Sequence, residues 1–93
     1  MRLSGAEIRQ RLSLLSGWAR DGNAITKQYT CAGFLEAVRF VDHLALEAEA
    51  ADHHPDILIN YKRVTLTYST HSEGGLTAKD FDGAAMADRL GEA

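Results

Sequence analysis

The chain has 93 residues, 45% of them hydrophobic and 25% charged, and a formal net charge of −3. This is the composition of an ordinary globular protein, which excludes a disordered chain, and the acidic balance argues against nucleic acid as the main partner because phosphate binding needs a basic face. The length allows one domain, residues 1–93, with a limited core, so association of copies is expected. A single cysteine, Cys31, rules out an intrachain disulfide and reads as a small, partly buried apolar residue. No stretch approaches the roughly 18 apolar residues of a membrane span, and residues 1–7 lack the apolar run of a signal peptide. A cytoplasmic protein is the expectation.

Ser4 and Glu7 form a capping-box signature ahead of Ile8, Leu12 and Leu15, with Gly17 as a stop, which predicts a helix over about residues 5–16. Trp18 to Arg20 reads as a short strand, with Trp18 in the core or on the sheet face. Asp21-Gly22-Asn23 is a hairpin turn, because Asp-Gly tolerates positive φ. Ala24 to Thr30 then alternates, Ile25, Lys27 and Tyr29 on one side and Thr26 and Gln28 on the other.

From Gly33 the period changes to three- and four-residue steps through Phe34, Val38, Val41, Leu44, Ala45 and Ala48, an amphipathic helix of about residues 33–51. Phe40 lies off that stripe and suggests a second apolar contact, with another subunit as one candidate. His43 sits near Arg39, Phe40 and Glu47 as a surface or interface residue. Ile57-Leu58-Ile59 begins a third strand and Asn60-Tyr61-Lys62 a turn. Val64, Leu66 and Tyr68 alternate with Thr65, Thr67 and Ser69 in a fourth strand. Gly74-Gly75 marks a loop, and Thr77 with Asp80 caps a last helix carrying Phe81, Ala84, Ala85 and Leu90. The order α-β-β-α-β-β-α predicts a two-layer α+β domain: a four-stranded antiparallel sheet with helices packed on one face. The other face is left to solvent or to an oligomer.

Three of the four histidines, His53, His54 and His71, fall within nineteen residues, interleaved with Glu49, Asp52 and Asp80. Pro55 bars His54 from helical geometry, and neighbours in extended chain point opposite ways, so the two adjacent imidazoles should diverge. An antiparallel return from Pro55 would bring His71 back alongside. His53, His71 and Glu49 or Asp80 could be assembled around a metal, but no spacing demands it. Half-exposed histidines bonded to backbone are the bland alternative. Proton transfer suits the cluster better, since imidazole both gives and takes protons near neutrality and a carboxylate can fix its tautomer.

The pattern Glu-x3-His-His-Pro-x5-Tyr-x9-His-x8-Asp is met here by Glu49, His53-His54-Pro55, Tyr61, His71 and Asp80. It resembles the signature of the pterin-4a-carbinolamine dehydratases, also called 4a-hydroxytetrahydrobiopterin dehydratases. Gly17-Trp18, Ser69-Thr70-His71 and Gly75-Leu76-Thr77 resemble that family too. The resemblance spans about residues 4–90. It implies the α+β fold reached above, a pterin substrate, and a homodimer or homotetramer built through sheet edges and long helices. It also implies a reaction that needs no metal or organic cofactor: loss of water from a 4a-hydroxytetrahydropterin, giving quinonoid dihydropterin in tetrahydrobiopterin recycling. Under it, His54 and His71 are the main acid–base pair, with His53 as an alternative donor or acceptor. Glu49 and Asp80 orient imidazoles or bind the pterin's polar edge, Pro55 and Tyr61 shape the pocket, and Thr70, Ser72 and Glu73 line it. Some relatives carry tryptophan where this chain has Ile57, which implies altered packing and retained activity. Other branches imply alternatives: a protein-interaction or dimerisation module, or a pterin-linked support role such as molybdopterin metabolism.

Overall fold

A computed structural model describes residues 1–91. The first helix, α1 (Gly5–Leu12), opens on the expected capping box: Ser4 Oγ accepts from the Glu7 amide and Glu7 Oε1 from the Ser4 amide. It stops four residues earlier than its apolar spacing predicts. The amides of Leu14 and Leu15 reach back three residues instead of four, so the helix unwinds through tighter turns towards Gly17, whose φ of 84° completes the exit. Trp18 is buried, and β1 (Ala19–Asp21) begins just after it.

Across the Gly22-Asn23 turn, β1 pairs antiparallel with β2 (Ala24–Thr30), which in turn pairs with β4 (Arg63–Tyr68); β3 (Asp56–Asn60) forms the far edge. The order is β1-β2-β4-β3. Period-two alternation sends Ile25, Val64, Leu66 and Tyr68 to the helix-covered face, all with no exposed surface. The opposite face carries hydroxyls and amides. Thr26 bonds Thr67 at 3.2 Å and Gln28 donates to Thr65 at 3.4 Å across the β2–β4 pair.

The long helix α2 (Phe34–Ala51) and α3 (Ala78–Gly91) lie on the apolar face. α2 is rotated relative to the stripe its spacing suggests. Ala37, Phe40, Leu44 and Ala48 are buried, whereas Phe34 is 52% exposed and Ala45 is exposed. The small Ala37 supplies the missing step, and Phe40 packs on the Tyr29 ring with centroids 4.9 Å apart. Phe40 is thus a core residue, which corrects its expected role as a contact for another subunit. On α3, Asp88 ties the helix to the sheet, accepting from Trp18 Nε1 at 3.1 Å, Lys27 Nζ at 2.8 Å and the Tyr29 hydroxyl. Among the described residues no helix is long and apolar enough to cross a membrane.

Gly83 of α3 is fixed by sterics. A Cβ there would lie 2.5 Å from the Tyr68 ring, so the phenol occupies the space a side chain would need. We expect Gly83→Ala to lower stability by about 1–3 kcal/mol through overpacking, although alanine is the better helix former by about 1 kcal/mol. Adding Tyr68→Leu should restore most of the loss in urea denaturation. A stabilised Gly83→Ala single variant would refute this packing.

Candidate active site

The histidine pair is divided by the way α2 ends. Asp52 takes a left-handed conformation (φ 52°), and the amides of Asp52 and His53 return to the carbonyls of Glu49 and Ala48. Asp is among the few non-glycine residues that tolerate this region. Pro55 then holds His54 extended, and the two rings leave on different sides.

His53 turns inward. Its Nε2 lies 2.6 Å from Asp80 Oδ1, and its ring stacks on Tyr68 at 5.8 Å with an interplanar angle of 18°. Asp80 has no exposed surface. Its other oxygen accepts from Thr70 Oγ1 at 2.8 Å and from the Thr77 amide at 2.9 Å, at the start of α3. Thr70 and Thr77 also bond each other at 2.9 Å. A buried carboxylate is tolerated only with such a set of donors, and His53 is its one titratable partner among the described residues.

His54 turns outward, with Nε2 2.7 Å from Glu49 Oε1; both side chains are largely exposed. His71, opening a 3-10 turn (His71–Glu73) after β4, faces the same cleft. This cleft holds about 340 Å³ at one end of the open sheet face, and Asp56, Thr67, Ser69, Gly74 and Gly75 complete its wall with the Asn23 turn. Asp56 stands opposite Thr67 in the β3–β4 register, and Ser69 Oγ donates to the Asn23 carbonyl at 2.7 Å, which pins the β1–β2 turn to the end of β4.

Two imidazoles from separate elements thus share one cleft with a carboxylate, two hydroxyls and a glycine backbone. Such a cleft can bind a polar heterocycle and offer it one proton donor and one acceptor. His53 instead lines a smaller hollow of about 220 Å³ between α2 and α3, with Tyr68 and Gly83. Thr70 is buried in the Asp80 network, and with Ser72 and Glu73 it borders a third hollow on the far side of the 70–77 loop. Pro55 is half-buried between His54 and β3. Tyr61 is exposed at the β3–β4 turn. Four register steps separate that turn from the Asp56–Thr67 pair, roughly 13 Å along the strands, so the structure does not bring Tyr61 to the cleft of its own chain. Among the described residues no group of three or more His, Cys, Asp or Glu side chains is arranged to hold a metal ion.

The polar cleft residues that sequence reasoning missed include Asn23, Asp56, Thr67 and Ser69. Alternation in β4 puts Thr67 and Ser69 on one face, and that signal was available. The pairing that sets Asp56 beside them was not, because register depends on the folded hairpin.

The sequence profile of the pterin 4 alpha carbinolamine dehydratases matches residues 1–90. The chain belongs to this family. Two Roseiflexus proteins, from R. castenholzii and from strain RS-1, are each 52% identical to it, over 95% and 96% of both chains respectively; both are provisionally named pterin-4-alpha-carbinolamine dehydratases. The crystal structure of a transcriptional coactivator/pterin dehydratase from Brucella melitensis superposes with a TM-score of 0.94 at 35% identity, covering 98% of this chain and 99% of that one. A pterin dehydratase-like RuBisCO assembly factor of the alpha-carboxysome shares the fold (TM-score 0.70, 22% identity, 83% and 92% coverage).

Tyr68, beneath His53, generates a prediction about pH. Burial, and then the Asp80 charge, push its phenol up to about 12, and among the described residues its hydroxyl has no hydrogen-bond partner. Folding therefore favours the neutral phenol. That contribution is complete below pH 10, the unfolded value, and is lost as pH rises through 12. Tyr68→Phe should flatten the fall in stability between pH 10 and 12 relative to the parent chain. At pH 7 it should be more stable by about 1 kcal/mol, since an unpaired buried hydroxyl is costly. Equal slopes in urea titrations of the two proteins would contradict this.

Proposed function

We propose that this protein is a dehydratase that removes water from a 4a-hydroxytetrahydropterin to give quinonoid dihydropterin. The observation that carries the reading is the placement of His54 and His71, from opposite ends of the β3–β4 hairpin, on one cleft large enough for a bicyclic heterocycle. Membership of the family supports the same substrate class.

The elimination breaks the bond from C4a to the hydroxyl oxygen and the N5–H bond, and the electrons of the latter form C4a=N5. One imidazolium donates its proton to the departing oxygen, which leaves as water. The other imidazole, neutral, accepts the N5 proton. The two rings then exchange protons with solvent and return to their starting states. General acid–base assistance of this kind is worth about 10²–10⁴-fold. Glu49, bonded to Nε2 of His54, orients that ring. Asp56, Thr67 and Ser69 meet the polar edge of the heterocycle. His53 faces the hollow between α2 and α3 and is assigned no proton step in this cleft; with Asp80 and Thr70 it holds the chain segments that flank the cleft. Tyr61, Ser72 and Glu73 do not line this cleft of their own chain and are assigned no step in it. The physiological setting we assign is recycling of tetrahydrobiopterin.

Purified protein should accelerate quinonoid dihydropterin formation from freshly generated carbinolamine between about pH 6 and 8.5, from roughly half a unit below to two units above an ordinary imidazole. His54→Ala and His71→Ala should each lower kcat by about 10² or more. Absence of acceleration across that range would sink the reading, and an unchanged rate in either variant would remove that ring from it.

We also infer association into a homodimer or homotetramer. Leu58 on the β3 edge is 62% exposed, and Leu35 and Leu46 on the outer face of α2 are 62% and 71% exposed; edge strands and apolar helix faces left open in this way favour pairing. Light scattering should give two or four times the chain mass of 10.2 kDa, and Leu58→Lys or Leu46→Lys should shift the mass downward. A monomer at micromolar concentration would refute the inference. The same α2 surface favours a second reading, a protein-interaction module; the Brucella protein is described as a transcriptional coactivator as well as a pterin dehydratase. The His54→Ala rate separates the two.

A further inference from the structure

The Thr70–Thr77 hydroxyl pair ties the ends of the loop that presents His71, and backbone hydrogen bonds close the turn within it. Gly74 N–H returns to the His71 carbonyl at 3.1 Å, Gly75 N–H to the Thr70 carbonyl at 3.4 Å, and Thr70 and Gly75 form an isolated antiparallel bridge. Its far side is made of two glycines. Gly74 is left-handed (φ 71°) and Gly75 is buried, and neither has a side chain with which to anchor itself. Both form part of the cleft wall shared with His54 and His71.

The anchor comes from the first residues of the chain. Leu3 N–H donates to the Leu76 carbonyl at 2.8 Å, and the Leu3 side chain packs on the core. This sets Arg2 directly over the glycine pair. Arg2 Nη1 donates to the Gly74 carbonyl at 3.4 Å. Its aliphatic stem lies so close to Gly75 that a Cβ there would sit 2.6 Å from Arg2 Cδ. This is the one side-chain hydrogen bond to the glycine pair among the described residues. The stem covers the backbone while the charged head stays in water, a usual division for arginine.

We propose that Arg2 is a positioning residue for His71: it clamps the Gly74–Gly75 wall from behind and so fixes the turn that holds His71 against the cleft. The catalytic half of this proposal rests on the dehydratase reading. The clamp itself does not. An exposed hydrogen bond of this length adds little to global stability. Placement of a reacting group is far more sensitive, since a displacement of about 1 Å can cost on the order of 10²-fold in rate.

The test compares the parent chain with Arg2→Ala and Arg2→Lys, reading amide hydrogen exchange by NMR and steady-state kinetics. In Arg2→Ala the Gly74 and Gly75 amides should exchange about tenfold faster while core amides of β2 and β4 are unchanged, the mark of local opening. For the same variant kcat should fall about three- to tenfold with KM altered less than about twofold, as expected when orientation and not binding is lost. Arg2→Lys keeps the stem and a cationic donor and should recover most of both effects. Unchanged exchange at Gly74 and Gly75 in Arg2→Ala overturns the clamp. Faster exchange with unaltered kcat overturns its link to His71. A uniform rise in exchange over the whole chain overturns it as well, because that is general destabilisation. If the parent chain dehydrates nothing, the function reading fails alone and the loop amides still decide the clamp.

Discussion

A carboxylate sealed from water holds this fold's functional end together. Asp80 has no exposed surface and accepts from three separate segments: Thr70 just past β4, Thr77 at the start of α3, and His53 just past α2. Removing a carboxylate from water costs several kcal/mol, and only a complete set of donors offsets that. The positive end of the α3 dipole adds to the effect. One anion therefore sets three chain segments at fixed separations. The loop between α2 and β3, which has no regular structure of its own, takes its geometry from that anion on one side and from Pro55 on the other.

Because His53 is committed to Asp80, His54 is left to face the cleft. The division follows from chain direction. In extended backbone successive side chains alternate, so a buried ring at 53 demands an exposed ring at 54. The cleft then forms where the open sheet face ends, between the residues entering β3 and those leaving β4. Its walls are mostly backbone and small polar side chains, fitting for a flat, hydrogen-bonding ligand. Asp88 plays the corresponding role at the other end of α3, where it collects Trp18, Lys27 and Tyr29.

Local rules carried much of this into the sequence. The Ser4–Glu7 box, the strict alternation of Val64, Leu66 and Tyr68, and the divergence imposed by Pro55 are all short-range, and each stands in the structure as read, while the hairpin turn narrows to Gly22-Asn23 with Asp21 already paired in β1. The phase of α2 was not legible. Ala37 weighs little on any hydropathy scale, yet it is wholly buried, and without it Phe40 looks misplaced. Tyr61 stands in the β3–β4 turn as the sequence reads, but its pocket role does not follow from that position. Its position in the family pattern groups it with the histidines, while the hairpin register sends it to the opposite end. The contact of Arg2 with Gly74 spans 72 positions, and no periodicity reports a separation of that kind.

The split at residues 53 and 54 also sets how each ring meets the surrounding medium. The His53–Asp80 pair is 14% and 0% exposed; the His54–Glu49 pair is 56% and 81% exposed. Mobile ions reach the second pair and not the first, and at physiological ionic strength they screen charges beyond about 8 Å. The His54–Glu49 pair is open to salt, while the His53–Asp80 pair is largely shielded from it. Two neighbouring residues of identical chemistry thus give the chain one imidazole governed by its surroundings and one governed by the fold.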